Sequence, residues 1–120
     1  MPLYVDAFCL PVPEKNFEAY VKMSKKAGKI WREHGALEYR ECFGDDLDVK
    51  MGRDFRKGAG AKDGETVVFS WILYKSRKDR DRVNAKVMAD PRMAALCGPR
   101  DMPFELKKMM YGGFVVKVDV

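Results

Sequence analysis

The chain has 120 residues, a usual length for one domain, and a chain of this size buries roughly two-thirds of the surface that its unfolded form exposes. Hydrophobic residues make up 47% and charged residues 34%, a composition that excludes a disordered chain and predicts a packed core. The net charge is +5, but 23 basic residues are interleaved with 18 acidic ones, so the pattern argues against nucleic acid as a partner. We expect one domain over residues 1–120.

Neither a membrane segment nor a targeting signal is predicted. No apolar run approaches the roughly 20 residues of a membrane-spanning helix, and residues 1–6 lack the basic and apolar regions of a signal peptide. We therefore expect a cytoplasmic protein with no membrane partner. Three widely separated cysteines, Cys9, Cys42 and Cys97, form neither a disulfide framework nor a metal or redox motif, and we expect reduced, structural thiols.

The first part of the chain predicts a strand, a helix and a second strand. Residues 3–10 carry apolar side chains on both alternating faces, as in a strand buried on two sides, with Asp6 as the one charge. In residues 14–34 apolar positions recur every three or four residues, which predicts an amphipathic helix with Pro13 in its first turn. In residues 36–43 apolar and polar side chains alternate, which predicts an edge strand with one face in water.

The middle of the chain is harder to assign. Residues 44–64 contain five glycines, and so long a stretch without regular structure is unusual inside a compact domain. We interpret this segment either as a functional flap or as a region that hides a short strand or a turn of helix around residues 49–55. Residues 66–74 follow it, and both of their faces are largely apolar, which predicts a central strand.

A second long helix is predicted after the central strand. Ser76 and Asp79 have the spacing of a capping box, in which the hydroxyl accepts a hydrogen bond from the third helical amide. The helix should therefore begin directly after Ser76. It is expected to bury Val83, Val87 and Met88.

A shorter helix and a last strand complete the pattern. Asp90 is a residue type that caps helices, and the short helix after it is expected to end near Gly98. Residues 99–103 are expected to form a loop. Residues 109–118 predict the final strand, with a kink or bulge at the glycine pair 112–113.

The order strand, helix, strand, strand, helix, strand predicts an α+β fold of the ferredoxin-like βαββαβ type with a four-stranded antiparallel sheet. Both helices then cover the same face of the sheet, yet the first and third strands are apolar on both faces. If Tyr4, Phe8, Phe69 and Trp71 were divided between the faces of a monomer, some of them would form an exposed apolar patch. We therefore predict a homodimer in which two sheets pack face to face, as a dimeric α/β barrel.

Four blocks of sequence together resemble a known family. They are EHGAL at residues 33–37, ETVVFSW at 65–71, NAKVMADPRM at 84–93 and MYGGF at 110–114. In this order they are similar to the YbaA-like family of small uncharacterised bacterial proteins, and the likeness runs through nearly the whole chain. The resemblance implies the dimeric α/β-barrel superfamily, and it implies no established activity.

A more distant likeness joins residues 69–93 to cofactor-free monooxygenases related to antibiotic biosynthesis. Trp71 falls where those enzymes often carry a strand tryptophan. Asn84 stands where a histidine is common in their second helix. The chain therefore lacks the proton-transfer group that a histidine would supply at that position.

Candidate catalytic residues are few. His34 is the only histidine, the side-chain type that changes charge near neutral pH, but a place at the end of the first helix is explained by the helix dipole alone. Asp90 and Arg92 complete this set of candidates. No group of His, Cys, Asp and Glu residues has the spacing of metal ligands, so we expect neither a metal site nor a cofactor.

A ligand pocket is expected between the sheet and the helices, where folds of this kind often open a cleft lined by aromatic side chains and a few polar groups. The candidate catalytic residues are expected near its mouth. The competing interpretation is that the aromatic residues belong to the core or to the dimer interface. Five aromatic residues are assigned to the pocket: Tyr4, Phe8, Tyr39, Trp71 and Tyr111.

Two functions are compatible with these features. The first is a homodimer that binds a small aromatic molecule, either as a binding protein or as a cofactor-independent enzyme of monooxygenase or isomerase type. It is based on the superfamily likeness and on the aromatic strands. The second is a noncatalytic interaction or regulatory module whose residues 44–64 dock a partner protein. The sequence leaves open whether the protein catalyses a reaction.

Overall fold

The computed structural model describes residues 1–98 and 102–120. Within these ranges the chain forms an antiparallel sheet with its long helices packed on one face. Short 3₁₀ turns precede the first helix and the last strand. In chain order the elements are β1 (Tyr4–Pro13), α1 (Phe17–Glu33), β2 (Glu38–Phe43), α2 (Phe55–Ala59), β3 (Glu65–Tyr74), α3 (Arg77–Ala89), α4 (Pro91–Leu96) and β4 (Met110–Val115).

The four strands follow the order β2-β3-β1-β4, with β1 and β3 in the centre and β2 at an edge, as the sequence predicts. The two central strands pair antiparallel along their whole length, from Tyr4 opposite Tyr74 to Pro13 opposite Glu65. Together with the helices on one face, this order confirms the ferredoxin-like α+β fold.

The sheet has two faces of different character, because successive side chains of a strand point to opposite sides. The inner face packs against α1 and α3, whose Ile30, Val83 and Val87 are buried there. In the described ranges no long helix packs on the outer face. Inner-face residues are Tyr4, Asp6, Phe8, Leu10 and Val12 of β1 and Val68, Ser70, Ile72 and Tyr74 of β3. Outer-face residues are Val5, Ala7 and Cys9 of β1, Phe69, Trp71 and Leu73 of β3, and Met110 and Phe114 of β4.

Strand β1 runs three residues further than expected, through Pro11 to Pro13. The partner strand β4 pairs with β1 only as far as Cys9 opposite Met110. Beyond Cys9 one side of β1 has no neighbouring strand, so the missing N–H groups of the prolines cost no ladder hydrogen bond. Pro13 therefore ends a strand instead of opening α1.

The segment between β2 and β3 contains the short helix α2, slightly later than the expected turn of helix around residues 49–55. The Asp54 side chain caps it by accepting a hydrogen bond from the Arg56 amide at 2.7 Å. Ala59 of α2 packs against Cys9 and Val67, so this segment covers one end of the outer face.

Two expectations for the second half of the chain are corrected. Val83 and Val87 of α3 are buried as predicted, but Met88 is 66% exposed, because it lies about 100° around the helix from Val87. The glycine pair 112–113 forms no bulge, since its pairing with β1 is uninterrupted. A Cβ atom at Gly113 would lie 2.7 Å from the Tyr4 Cε2 atom, which explains a glycine there.

The loop expected at residues 99–103 falls partly on residues 99–101, which lie outside the described residues. The short helix after Asp90 ends at Leu96 and the last strand at Val115, each a few residues earlier than predicted. Within the described ranges, no helix combines the length and the apolar character that crossing a membrane requires.

Candidate functional site

A cavity of about 220 Å³ lies between the inner face of the sheet and the helices, and we call it the inner cavity. Phe8 and Ser70 of the central strands line its floor, and Ala27 and Trp31 of α1 line one wall. Most of the lining is apolar. Five of the eight methionines of the chain contribute to it: Met23, Met88, Met93, Met102 and Met109.

A second space of about 660 Å³, the outer groove, lies between α1 and the edge strand β2. Ser24, Tyr39 and Glu41 line both the inner cavity and the outer groove. The two spaces are therefore adjacent, and these three residues form the boundary between them.

A carboxylate held by two tyrosines marks this boundary. The hydroxyl groups of Tyr20 and Tyr39 each donate a hydrogen bond of 2.8 Å to the Glu41 carboxylate, one to each oxygen. Burial, and next the negative charge of Glu41, raises the pKa of both tyrosines, so both remain protonated donors at neutral pH. Each tyrosine oxygen keeps lone pairs that can accept a hydrogen bond from a ligand.

Glu41 was not predicted as a site residue from the sequence. Alternation along β2 places it between Tyr39 and Phe43 on the inner face of the sheet. A charged residue at an inward position of an otherwise apolar row was the signal that could have identified it.

A second polar network lies deeper, around Asp6 on β1, which is 1% exposed. Arg80 of α3 donates a 3.0 Å hydrogen bond to its Oδ1 atom, and the Asn84 amide donates one of 3.4 Å to Oδ2. The Asn84 carbonyl oxygen accepts from Trp31 Nε1 at 3.2 Å and from the Tyr74 hydroxyl at 3.1 Å. Burial raises the pKa of Asp6, and the Arg80 guanidinium opposes that rise. Asn84 thus uses both ends of its amide to join α1, α3 and the sheet.

The structure brings four of the five expected pocket residues to the inner face. Phe8 and Tyr39 line the inner cavity. Tyr4 and Tyr111 lie beside it, where their hydroxyls accept hydrogen bonds from Arg80 at 3.4 and 3.2 Å. The ring of Tyr111 also stacks on Phe8, with 4.9 Å between ring centroids.

Trp71 is placed apart from the other four. It lies on the outer face, where its Nε1 atom donates a 3.3 Å hydrogen bond to Glu38. Residues 70 and 72 of the same strand point inward, so alternation directs the Trp71 side chain to the opposite side. Trp71 is nevertheless among the residues that line the inner cavity.

His34, Asp90 and Arg92 are also brought together. His34 Nε2 and Arg92 Nη2 each lie 2.9 Å from Asp90 Oδ2, and Arg92 also pairs with Glu33 at 2.7 Å. The hydrogen bonds from Arg92 and His34 lower the pKa of the Asp90 carboxyl. Asp90 also caps α4 by accepting from the Arg92 amide at 2.9 Å. This cluster joins the end of α1 to the start of α4. None of the three candidates is among the described residues that line the inner cavity.

Among the described residues, neither a group of metal ligands nor a thiol of lowered pKa is found at the site; Cys97 lines the inner cavity, and burial raises the pKa of its thiol. In the part of the chain that the structure describes, no three His, Cys, Asp or Glu side chains are close enough to hold a metal ion together. Cys9 is buried beneath α2, and burial raises the pKa of its thiol. It therefore behaves as a small hydrophobic residue.

Solved structures of other proteins share this fold. The chain aligns with a dimeric ferredoxin-like protein from an uncultured marine organism at a TM-score of 0.64 and 12% identity, covering 100% of both chains. It aligns with a NIPSNAP family protein of unknown function from Agrobacterium tumefaciens at a TM-score of 0.63 and 15% identity, covering 96% of this chain and 88% of the other. At these identities the likeness shows the fold alone.

Relatives of higher identity share the whole sequence pattern. The uncharacterized protein YbaA of Escherichia coli strain K12 is 43% identical over 116 residues, which are 97% of each chain. YbaA of Shigella flexneri matches to the same extent. The family model described as a protein of unknown function, DUF1428, matches residues 3–106. The YbaA-like resemblance of the four sequence blocks is thus confirmed, and the chain belongs to the DUF1428 family.

Proposed function

We propose that this chain is a cytoplasmic homodimer that binds a small molecule with an aromatic ring in the inner cavity. The observation that carries the proposal is the cavity itself, a partly open space lined mainly by apolar side chains, aromatic residues and methionines among them, with the Tyr20, Glu41 and Tyr39 cluster at one end. Ligand sites in proteins are typically apolar cavities with a few convergent polar groups.

The size and the lining of the inner cavity favour a compact, apolar ligand. Its 220 Å³ is below the usual range of about 300–1000 Å³ for ligand sites, but it adjoins the outer groove through Ser24, Tyr39 and Glu41. Methionine side chains are flexible and polarizable, so a wall that contains five of them can adapt to a flat ring.

The outer face of the sheet supports the homodimer. Phe69, Met110 and Phe114 are 43%, 50% and 60% exposed, and they lie together on the open part of this face with Trp71 and Leu73. An apolar sheet face left in water is unusual for a monomer. A second copy is the occupant that fits it, because an isologous contact covers both faces at once, and a solved structure with this fold is named as dimeric.

The alternative, a module that docks a partner protein through residues 44–64, has less support. Ala59 of this segment is buried against Cys9 and Val67 of the sheet. Only the Ala59 side of the segment is engaged in this way; Val49, Met51 and Phe55 are exposed, so a partner would have to bind through those side chains.

Titration with N-phenyl-1-naphthylamine, a neutral aromatic fluorophore, tests the proposed binding site. Ser70 is buried on the cavity floor, so Ser70→Leu adds side-chain volume inside the cavity. We expect it to weaken probe binding by about tenfold, which corresponds to about 1.4 kcal/mol. Thr66→Leu is the matched control, because Thr66 lies on the same face of β3 but outside the cavity lining.

The thermal unfolding curve of each variant shows whether it folds cooperatively. If Ser70→Leu does not fold, Ser70→Val makes the same test with a smaller side chain that suits a strand. Equal probe affinity in the folded Ser70 variant, the Thr66→Leu control and the wild type would contradict the proposed site.

A further inference from the structure

The outer groove carries positive charges that have no partner within the described chain. Lys25 and Lys29 lie one helical turn apart on α1, both exposed and both lining the groove. In the portions of the chain that the structure describes, neither ammonium group lies within ion-pair distance of a carboxylate.

The two acidic residues of the groove, by contrast, are already engaged. Glu33 pairs with Arg92 at 2.7 Å. Glu41 accepts hydrogen bonds from Tyr20 and Tyr39. Arg32, the third cation of the groove, donates a hydrogen bond of 3.3 Å to the Ala36 carbonyl. Among the described residues that line the groove, Lys25 and Lys29 are therefore the cations whose ammonium groups remain available to a ligand.

The positions of these charges indicate where the negative group of a ligand would bind. Glu41 lies on the boundary with the inner cavity, whereas Lys25 and Lys29 line the groove and are not part of the inner-cavity lining. An anionic group deep in the cavity would lose hydration and meet the Glu41 carboxylate, which is unfavourable. The same group in the groove would stay hydrated and lie near two cations.

We propose that the ligand is an amphipathic anion, with its apolar ring in the inner cavity and its negative group in the outer groove beside Lys25 and Lys29. This inference rests on the proposed function, because it requires that the inner cavity holds the apolar part. It names the chemical class of the ligand: an aromatic body joined to a carboxylate or a comparable acid.

Two probes that differ by one charged group distinguish the contribution of the charge to binding from that of the aromatic rings. 8-Anilinonaphthalene-1-sulfonate carries the same two aromatic groups as N-phenyl-1-naphthylamine with one added sulfonate. The test variant is Lys25→Gln/Lys29→Gln. The control is Lys22→Gln/Lys26→Gln, which removes two exposed lysines of the same helix with the same spacing, neither of which lines the groove.

We expect the groove variant to weaken binding of the sulfonate probe by at least about threefold relative to the control variant, since two exposed charge contacts are each worth up to about 1 kcal/mol. Binding of the neutral probe should be the same in both variants. Added salt should weaken binding of the sulfonate probe to the wild type and leave the neutral probe unaffected. Ser70→Leu should weaken both probes.

Two results would overturn the inference while leaving the proposed function intact. One is that the groove variant and the control variant weaken binding of the sulfonate probe equally, which would show that the probe responds to the overall positive charge of the protein. The other is weakening of both probes to the same degree by the groove variant alone. If Ser70→Leu changes the binding of neither probe, the proposed site itself fails, and this inference fails with it.

Discussion

The ring of Tyr39 lies directly against the backbone of Gly28, so that a Cβ atom at position 28 would be 2.7 Å from the Tyr39 Cδ1 atom. Helix α1 and strand β2 approach this closely only because residue 28 has no side chain. The contact fixes the position of the Tyr39 ring, whose hydroxyl donates to Glu41 at the boundary of the inner cavity.

Gly28→Ala is therefore expected to destabilise the protein, although alanine favours a helix. The added methyl group overlaps the Tyr39 ring, and overpacking of this kind costs about 1–3 kcal/mol. Gly58→Ala in α2 is the matched control. Nothing lies within 4 Å of a Cβ atom there, so the better helix propensity of alanine should raise the free energy of unfolding by about 0.5–1 kcal/mol. Urea unfolding measures both changes, and stabilisation by Gly28→Ala would show that the contact is not tight.

Arg80→Met is expected to destabilise the protein by about 3–5 kcal/mol, because it leaves the buried Asp6 carboxylate without its cation. Arg82→Met on the same helix is the control. It removes the exposed pair between Arg82 and Asp79, for which a loss below about 1 kcal/mol is expected.

The Arg80→Met variant should also recover stability in acid. Burial already raises the pKa of Asp6, and loss of Arg80 removes the opposing effect. When the folded pKa is above the unfolded one, the folded state binds more protons, so stability is gained as the pH falls through the folded pKa. The gap between this variant and the wild type should narrow from pH 7 to pH 5 in chemical unfolding; a constant gap would mean that Asp6 is not the group left unpaired.

The Asp90 cluster has the opposite pH dependence. Arg92 and His34 hold the pKa of Asp90 below its ordinary value, so its contribution to stability is present above the unfolded pKa and is lost as the pH falls towards the folded one. Asp90→Asn keeps a side chain that can cap α4 but removes the charge. The wild type should be more stable than this variant above about pH 5, and the two should converge below about pH 4. Parallel stability curves over this range would show that the charge of Asp90 contributes nothing.

Because the outer face is apolar, a charge introduced there should weaken self-association of the protein. Met110→Glu places a carboxylate in the apolar outer face and should shift the proposed dimer towards monomer in sedimentation at micromolar concentration. Met88→Glu makes the same change at a methionine of similar exposure on the helix-covered side and should remain dimeric. A monomeric wild type, or equal assembly of the two variants, would contradict the proposed homodimer.

The fold could be derived from the sequence because its main signals are local. Residues 66–74 are largely apolar on both faces and form most of the central strand β3, and Ser76 caps α3 by accepting from the Asp79 amide at 3.1 Å. The extension of β1 through Pro13 could not be derived, because it depends on β4 ending beside Cys9, a long-range pairing that local propensity does not report.

The candidate site was derived only in part, for a related reason. In residues 66–74 the side chains of both faces are largely apolar. Alternation therefore places Trp71 and Ile72 on opposite faces, but it does not indicate which of the two faces packs on the helices. The pattern alone therefore could not place the Trp71 side chain on the outer face. The pairing of Tyr20 with Glu41 joins α1 to β2 across 21 residues, and no local pattern indicates such a contact.

The most direct test of the account is a methyl NMR spectrum of the protein labelled with ¹³C at its methionine methyl groups, recorded during titration with N-phenyl-1-naphthylamine. Five of the eight methionines line the inner cavity, whereas Met1, Met51 and Met110 lie elsewhere. A probe bound in the inner cavity should shift the signals of Met23, Met88, Met93, Met102 and Met109 and leave those of Met1 and Met51 in place. Shifts confined to Met110, or no shifts at saturating probe, would contradict the account.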